Sequence, residues 1–125
     1  MPDYTTLPAL QHYVLEYSCV LGIVAKPNIL QVEIDLSFAR DHPNLRPPRE
    51  GEVTYYRRGV IEFRGVTSLT WNGQGVPPAI NADGEHDWGA MDEFTFQDDN
   101  YRLAGDFGDI QVVASSVGVR FIGPV

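Results

Sequence analysis

Asp83-Gly84-Glu85-His86-Asp87 gathers three carboxylates and an imidazole within five residues, which is donor chemistry for a divalent cation. A calcium loop, however, sets its oxygens at alternate positions, with glycine at the sharp turn and a bidentate acid at the end. Here glycine stands second, and Asp92 and Glu93 are out of place for the closing acid. The pattern reads as a solvated acidic turn ahead of Trp88-Gly89, and no metal or other cofactor is expected. Asp98 with Asp99, and Asp106 with Asp109, offer carboxylate pairs for acid–base work. Such work needs one carboxyl in an apolar pocket with a raised pKa. Both pairs adjoin glycine or asparagine at expected turns, where water keeps carboxylates ordinary.

Nucleophiles fare no better. The chain has no Gly-x-Ser-x-Gly elbow, and Ser115-Ser116 falls at an expected turn. Cys19, the single cysteine, sits on the apolar side of its run and reads as a small core residue. Gly73-Gln74-Gly75 leads into Val-Pro-Pro instead of a helix, so it is not a phosphate loop. No catalytic residue is assigned, and an enzyme is not the favoured reading.

Charge is more informative. The 125 residues carry 9 basic and 17 acidic side chains, a net charge of −8. Between Asp83 and Asp109 stand nine acids and one base, Arg102, so this segment holds the whole excess. Between Arg40 and Arg64, six arginines face four acids. A net negative chain is a poor partner for nucleic acid, whose affinity rests on phosphate contacts, and a better one for a basic protein. Tyr55-Tyr56-Arg57-Arg58 adds interface-like composition, because on a strand one Tyr and one Arg point outward together.

These residues must be positioned by strands. Leu30, Val32, Ile34, Leu36 and Phe38 alternate with Gln31, Glu33, Asp35 and Ser37, the period of a strand with one buried face. Tyr13, Leu15, Tyr17, Cys19 and Leu21 alternate similarly, and Lys26-Pro27-Asn28 reads as the turn of a hairpin joining the two runs. Gly22–Ala25 is open between strand and loop. Asp41–Gly51, with three prolines, is irregular. In Val53–Trp71, Ile61, Phe63, Leu69 and Trp71 point inward, and Gly59 and Gly65 mark bulges or a bend between two sheets. Phe94 to Phe121 reads as a meander of short strands with Asp98-Asp99-Asn100 at a hairpin tip. The sole helix candidate is one turn at Leu7–Gln11.

About seven short strands with many turns imply a single all-β domain over residues 1–125, an antiparallel β-sandwich or a partly open barrel. A chain of this size buries enough surface to fold without metal or disulfide. The longest nearly apolar stretch, Val14–Ala25, is too short to span a bilayer, so no membrane partner is expected. Met1-Pro2-Asp3-Tyr4 lacks the start of a signal peptide, and an unpaired cysteine suits a reducing compartment, so a cytoplasmic protein is expected.

Arg58-Gly-Val-Ile-Glu-Phe-Arg-Gly-Val-Thr-Ser-Leu-Thr-Trp71 and the stretch Ala104–Phe121, with its Gly-Asp-Ile segment, carry a resemblance. They are similar to small bacterial β-domains of unassigned function, some of them among immunity proteins of polymorphic toxin systems. The resemblance implies a stoichiometric binder and brings no catalytic residues with it. The reading is therefore a non-enzymatic binding protein, possible as an immunity-type inhibitor, with an acidic surface for a basic protein. Its candidate partner-binding residues are Asp83, Glu85, Asp87, Trp88, Asp98, Asp99 and Tyr101, the two aromatics serving as apolar anchors. Two alternatives stay open: a homo-oligomer joined through exposed β-edges, and a small-molecule binder or enzyme using a barrel interior.

Overall fold

A computed structural model describes residues 2–75, 79–80, 84 and 86–122. The strands are β1 (Tyr13–Lys26), β2 (Ile29–Phe38), β3 (Tyr56–Arg64), β4 (Ser68–Asn72), β5 (Ala79–Ile80), β6 (His86–Asp87), β7 (Met91–Gln97), β8 (Asn100–Gly105), β9 (Gly108–Val113) and β10 (Ser116–Phe121). One sheet runs β1-β2-β3-β10 and the other β4-β9-β8-β7, with β5 and β6 forming a small ribbon. All pairings between these strands are antiparallel. The architecture is an open-edged β-sandwich, not a closed barrel.

β2 follows its alternation: Leu30, Val32, Ile34, Leu36 and Phe38 are all buried. Each such side chain contributes roughly 1.5–3 kcal/mol by leaving water. The hairpin turn is Pro27-Asn28, with Asn28 in the left-handed region at φ 71°. Gly22–Ala25 continues β1 as strand.

β1 departs from simple alternation. The register shifts between Val14 and Cys19 and again between Val20 and Gly22. Ser18 fills the first irregularity: its hydroxyl donates to the Val14 carbonyl (2.8 Å) and accepts the Ser37 N–H (2.9 Å). Ser18 and Val20 consequently turn inward, Tyr17 is 67% exposed, and Cys19 is half-buried opposite Asp35 instead of in the core. A bulge reverses which parity faces inward, so the core assignment of Cys19 is corrected.

The meander holds for β7, β8 and β9 only. β10 leaves it and pairs with β3, while β4 leaves the line of β3 and pairs with β9. The two chain segments cross between the sheets together. At the crossing the Ser115 amide donates to the Arg64 carbonyl (2.9 Å) and the Thr67 amide to the Val113 carbonyl (2.9 Å). Gly65 makes the bend at φ 66°, where a Cβ would stand 2.1 Å from the Ser115 hydroxyl. Gly59, by contrast, lies within regular β3, so it marks no bulge. It lacks a side chain because a Cβ would meet the Arg120 carbonyl at 2.9 Å.

At the N-terminus the short 3₁₀ helix is Tyr4–Thr6, and the Asp3 carboxylate caps it by accepting the Thr5 N–H (2.9 Å). Leu7–Gln11 is a hydrogen-bonded turn, its Gln11 amide reaching the Leu7 carbonyl at 2.9 Å. Pro2 and Asp3 lie along the free edge of β7: the Phe96 amide donates to the Pro2 carbonyl (2.9 Å), and Asp3 bridges Thr95. That edge is thereby closed to other strands.

Candidate functional site

The fold divides the acids of Asp83–Asp109 into separate groups. Asp83 and Glu85 lie outside the described residues. Asp87 closes β6, and its carboxylate accepts the Gly89 N–H at 2.6 Å. Asp106 reaches the same place, its Oδ2 standing 3.1 Å from where a Cβ on Gly89 would lie. Trp88 is half-buried against the core, its backbone tied to Val20 of β1 (3.0 Å). Burial, then Asp87 and Asp35, pushes the nearby Cys19 thiol up in pKa, away from thiolate reactivity.

Asp98 and Asp99 form the β7–β8 turn, at the far end of β8 from Asp106. A six-residue strand spans about 20 Å, so they share no patch with Asp106. Tyr101 must be corrected as a surface anchor. It is only 7% exposed, because β8 turns Tyr101 and Leu103 inward together. Its ring packs edge-on to Phe63 (5.1 Å) and beside Phe96 (6.2 Å). Burial, with Asp99 second, raises its hydroxyl pKa.

Glu93 and Asp109 are already neutralised. Arg102 donates through Nη1 to Glu93 (3.0 Å) and through Nε and Nη2 to Asp109 (3.2 and 2.6 Å). The forked contact to Asp109 is the stronger geometry. Asp87, Asp92, Asp98, Asp99 and Asp106 have no cationic partner among the described residues.

One place gathers carboxylates from three segments. Asp3, Glu16, Asp92 and Glu93 line a groove of about 230 Å³ with Tyr4, Thr5, Phe94 and Thr95. Among the described residues no lysine or arginine lines it, although Arg102 reaches Glu93 from the neighbouring strand. A register shift between Met91 and Glu93 makes the acidic half: adjacent Asp92 and Glu93 are both exposed, which regular alternation forbids. Tyr4 makes the other half. Its hydroxyl donates to Glu16 Oε1 (2.5 Å) and accepts the Leu15 N–H (3.1 Å), while its ring lies edge-on to Phe94. Burial, then the Glu16 contact, raises the phenol pKa, so Tyr4 stays a donor. The Thr5 side-chain and backbone donors hold the Asp3 carboxyl below its usual range. The arrangement presents charged oxygens to a cation from outside. Among the described residues no three His, Cys, Asp or Glu side chains come together as a metal site.

Asp92 and Glu93 belong to the acidic run visible in the sequence, although neither is among the candidate residues read from it. Asp3 and Glu16 carry no local signal; the Asp3–Thr95 bridge and the Tyr4 hydroxyl bring them in. Among the described residues no helix is long and apolar enough to cross a membrane. No protein-family model matches the chain, no curated protein matches its sequence, and no solved structure matches its fold.

Proposed function

We propose that the protein is a non-enzymatic binding domain, of the inhibitor kind, that takes a basic protein partner. The groove of Asp3, Glu16, Asp92 and Glu93 receives a lysine or arginine side chain of that partner. The observation behind this reading is that four carboxylates line one groove and that only Glu93 among them has an arginine or lysine partner, Arg102, among the described residues. Three of the four are held by hydrogen bonds from Thr5, Tyr4 and Arg102, so their positions are set before a partner arrives. The outlying acids, Asp87, Asp98, Asp99 and Asp106, supply long-range attraction that speeds encounter.

The test begins with a partner captured by pull-down and identified, whose association is then followed by stopped flow. Asp92→Asn with Glu16→Gln should raise the dissociation rate at least about tenfold, the cost of removing partners from a desolvated cation. Unchanged dissociation with intact folding would remove the groove from the reading. A partner that is acidic overall would remove the reading itself.

A second reading, self-association through a sheet edge, has one observation in its favour. β4 ends its sheet and carries Ser-Leu-Thr-Trp-Asn, with no charge or proline to blunt the edge. Light scattering on the wild type and on Leu69→Lys distinguishes the two: a dimer that the lysine abolishes would favour the edge.

A further inference from the structure

The opposite charge also has a place of its own. The end of β2, the start of β3 and the proline-rich loop between them enclose a cleft of about 340 Å³, lined by Phe38, Asn44, Leu45, Arg46, Tyr55 and Arg57. Its volume lies at the small end of ordinary ligand pockets. Among the described residues no carboxylate lines it.

The cleft is built, not incidental. Phe38 and Tyr55 are buried and meet edge-on at 4.9 Å, and the Phe38 amide donates to the Tyr55 carbonyl (3.0 Å). His42 stacks on Phe38 at 4.0 Å between ring centres. Its Nδ1 accepts the Asn44 N–H (2.9 Å), which leaves Nε2 as the protonated nitrogen facing the Tyr13 hydroxyl (3.1 Å). A Leu45 amide bond to the His42 carbonyl (3.1 Å) completes the turn that carries Arg46. The irregular loop is therefore pinned where it forms the wall.

The arginines differ in how far their valences are used. Arg49 donates to the Tyr56 carbonyl (2.7 Å), sits beside Glu52 and lies over the Tyr55 ring, so it is committed to structure. Arg57 lies over the Phe121 ring at 4.3 Å, and its Nε is buried with no hydrogen-bond acceptor. Arg46 is exposed and has no ion pair among the described residues. A guanidinium held in place by stacking is pre-organised to meet an oxyanion in the cleft. Leu45, with the outer edges of the buried Phe38 and Tyr55 rings, gives the cleft an apolar wall.

We propose that this cleft binds a small organic oxyanion, a carboxylate or phosphate carried on an apolar body, held by Arg57 and Arg46 with that body against the wall of Leu45, Phe38 and Tyr55. The site is separate from the acidic groove and does not depend on the partner assigned to it. Titration of the intact protein with phenyl phosphate, benzoate, inorganic phosphate and neutral benzamide, followed by amide chemical shifts, tests it. Phenyl phosphate and benzoate should shift the amides of Phe38, Leu45, Tyr55 and Arg57, and benzamide should not. Inorganic phosphate should bind at least tenfold more weakly than phenyl phosphate. Arg46→Gln and Arg57→Gln should each weaken phenyl phosphate about tenfold or more, while Arg120→Gln, on the outer face beside Glu62, should leave it unchanged. If Arg57→Gln fails to fold, Arg46→Gln decides alone. Equal binding of benzamide, equal binding of inorganic phosphate, unchanged affinity in the variants, or no shift with any probe at millimolar concentration would each overturn the proposal.

Discussion

The acidic groove beside β7 and the arginine–aromatic cleft at the start of β3 hold opposite charges, and the fold satisfies those charges to different degrees. In the groove, Asp3, Glu16 and Glu93 each accept hydrogen bonds from neighbours, and the free charge is Asp92, on exposed backbone. In the cleft the order is reversed. Arg49, at the margin, donates to the Tyr56 carbonyl beside Glu52, whereas Arg57 keeps a buried donor without an acceptor. An exposed carboxylate without a partner costs little, because water solvates it. A buried N–H without an acceptor costs about 1–3 kcal/mol. The groove therefore suits a salt-sensitive contact with a cationic side chain, and the cleft suits an oxyanion that pairs with its arginines.

The largest expected effects separate the two regions by their foundations. Phe38 underlies the cleft and Phe94 lines the groove, and both are buried. Phe38→Ala and Phe94→Ala should each destabilise by about 3–5 kcal/mol, the usual cost of a buried phenylalanine. Urea unfolding measures the loss. Where the variants still fold, Phe38→Ala should abolish phenyl phosphate binding, and Phe94→Ala should leave it near the wild-type level. Loss of that binding in both would mean that the two regions form one cooperative unit.

Ser18→Ala is expected next in size. It leaves the Ser37 N–H buried without its acceptor, which costs about 1–3 kcal/mol in the same urea assay. A loss below 0.5 kcal/mol would show that backbone pairing alone holds the irregularity in β1, against the roughly 1 kcal/mol expected of a hydrogen bond. The same residue explains much of what sequence reading could and could not reach. β2 was legible because nothing interrupts its period. β1 was not, because a serine inserted into the ladder reverses the parity after it and turns Cys19 outward. Tyr101 was misplaced for a related reason: an aromatic near a turn reads as surface until its strand's inward face is known. The β3–β4 bend was signalled by Gly65, but nothing local says that β10 would cross with it. The acidic run was visible as arithmetic. Its separation along β8, and the recruitment of Asp3 and Glu16 into the groove, depend on contacts between distant segments. The Arg40–Arg64 window showed its arginines but not which of them remain unsatisfied.

Acidification distinguishes the regions by a smaller amount. Burial, and secondarily His12, lowers the His42 pKa from 6.5 against an opposing pull from Asp41. For a base held neutral in the folded state, the unfolded chain binds more protons as pH falls. Stability is therefore full above the unfolded value and declines as pH drops below about 6.5, until the folded value is passed. The protonated ring also cannot accept the Asn44 N–H, so the wall carrying Arg46 loosens. The Asp3 carboxyl, held below its usual value by Thr5, keeps its charge throughout this window. Between pH 7 and 5 the amides of Asn44 to Arg46 should shift and exchange faster, and those of Asp3 to Thr5 should not. His42→Gln should remove the dependence. Equal changes in both regions would point to a global effect instead of a histidine in the cleft wall.

The smallest expected effect belongs to the turn acids. Asp98 adopts φ 53°, a conformation that asparagine also tolerates, and neither Asp98 nor Asp99 has a cationic partner among the described residues. Asp98→Asn with Asp99→Asn should therefore change stability by less than about 0.5 kcal/mol, as surface substitutions away from special contacts do. At physiological salt the Debye length is about 8 Å, while the turn begins three residues, about 10 Å, beyond Thr95 at the near end of the groove. The pair contributes to the far field of the molecule and not to the contact in the groove. With an identified basic partner, the double substitution should slow association modestly at low salt, lose that effect at high salt, and leave dissociation unchanged. A faster dissociation would place the β7–β8 turn inside the contact, and the groove would then have to share its role with the hairpin tip.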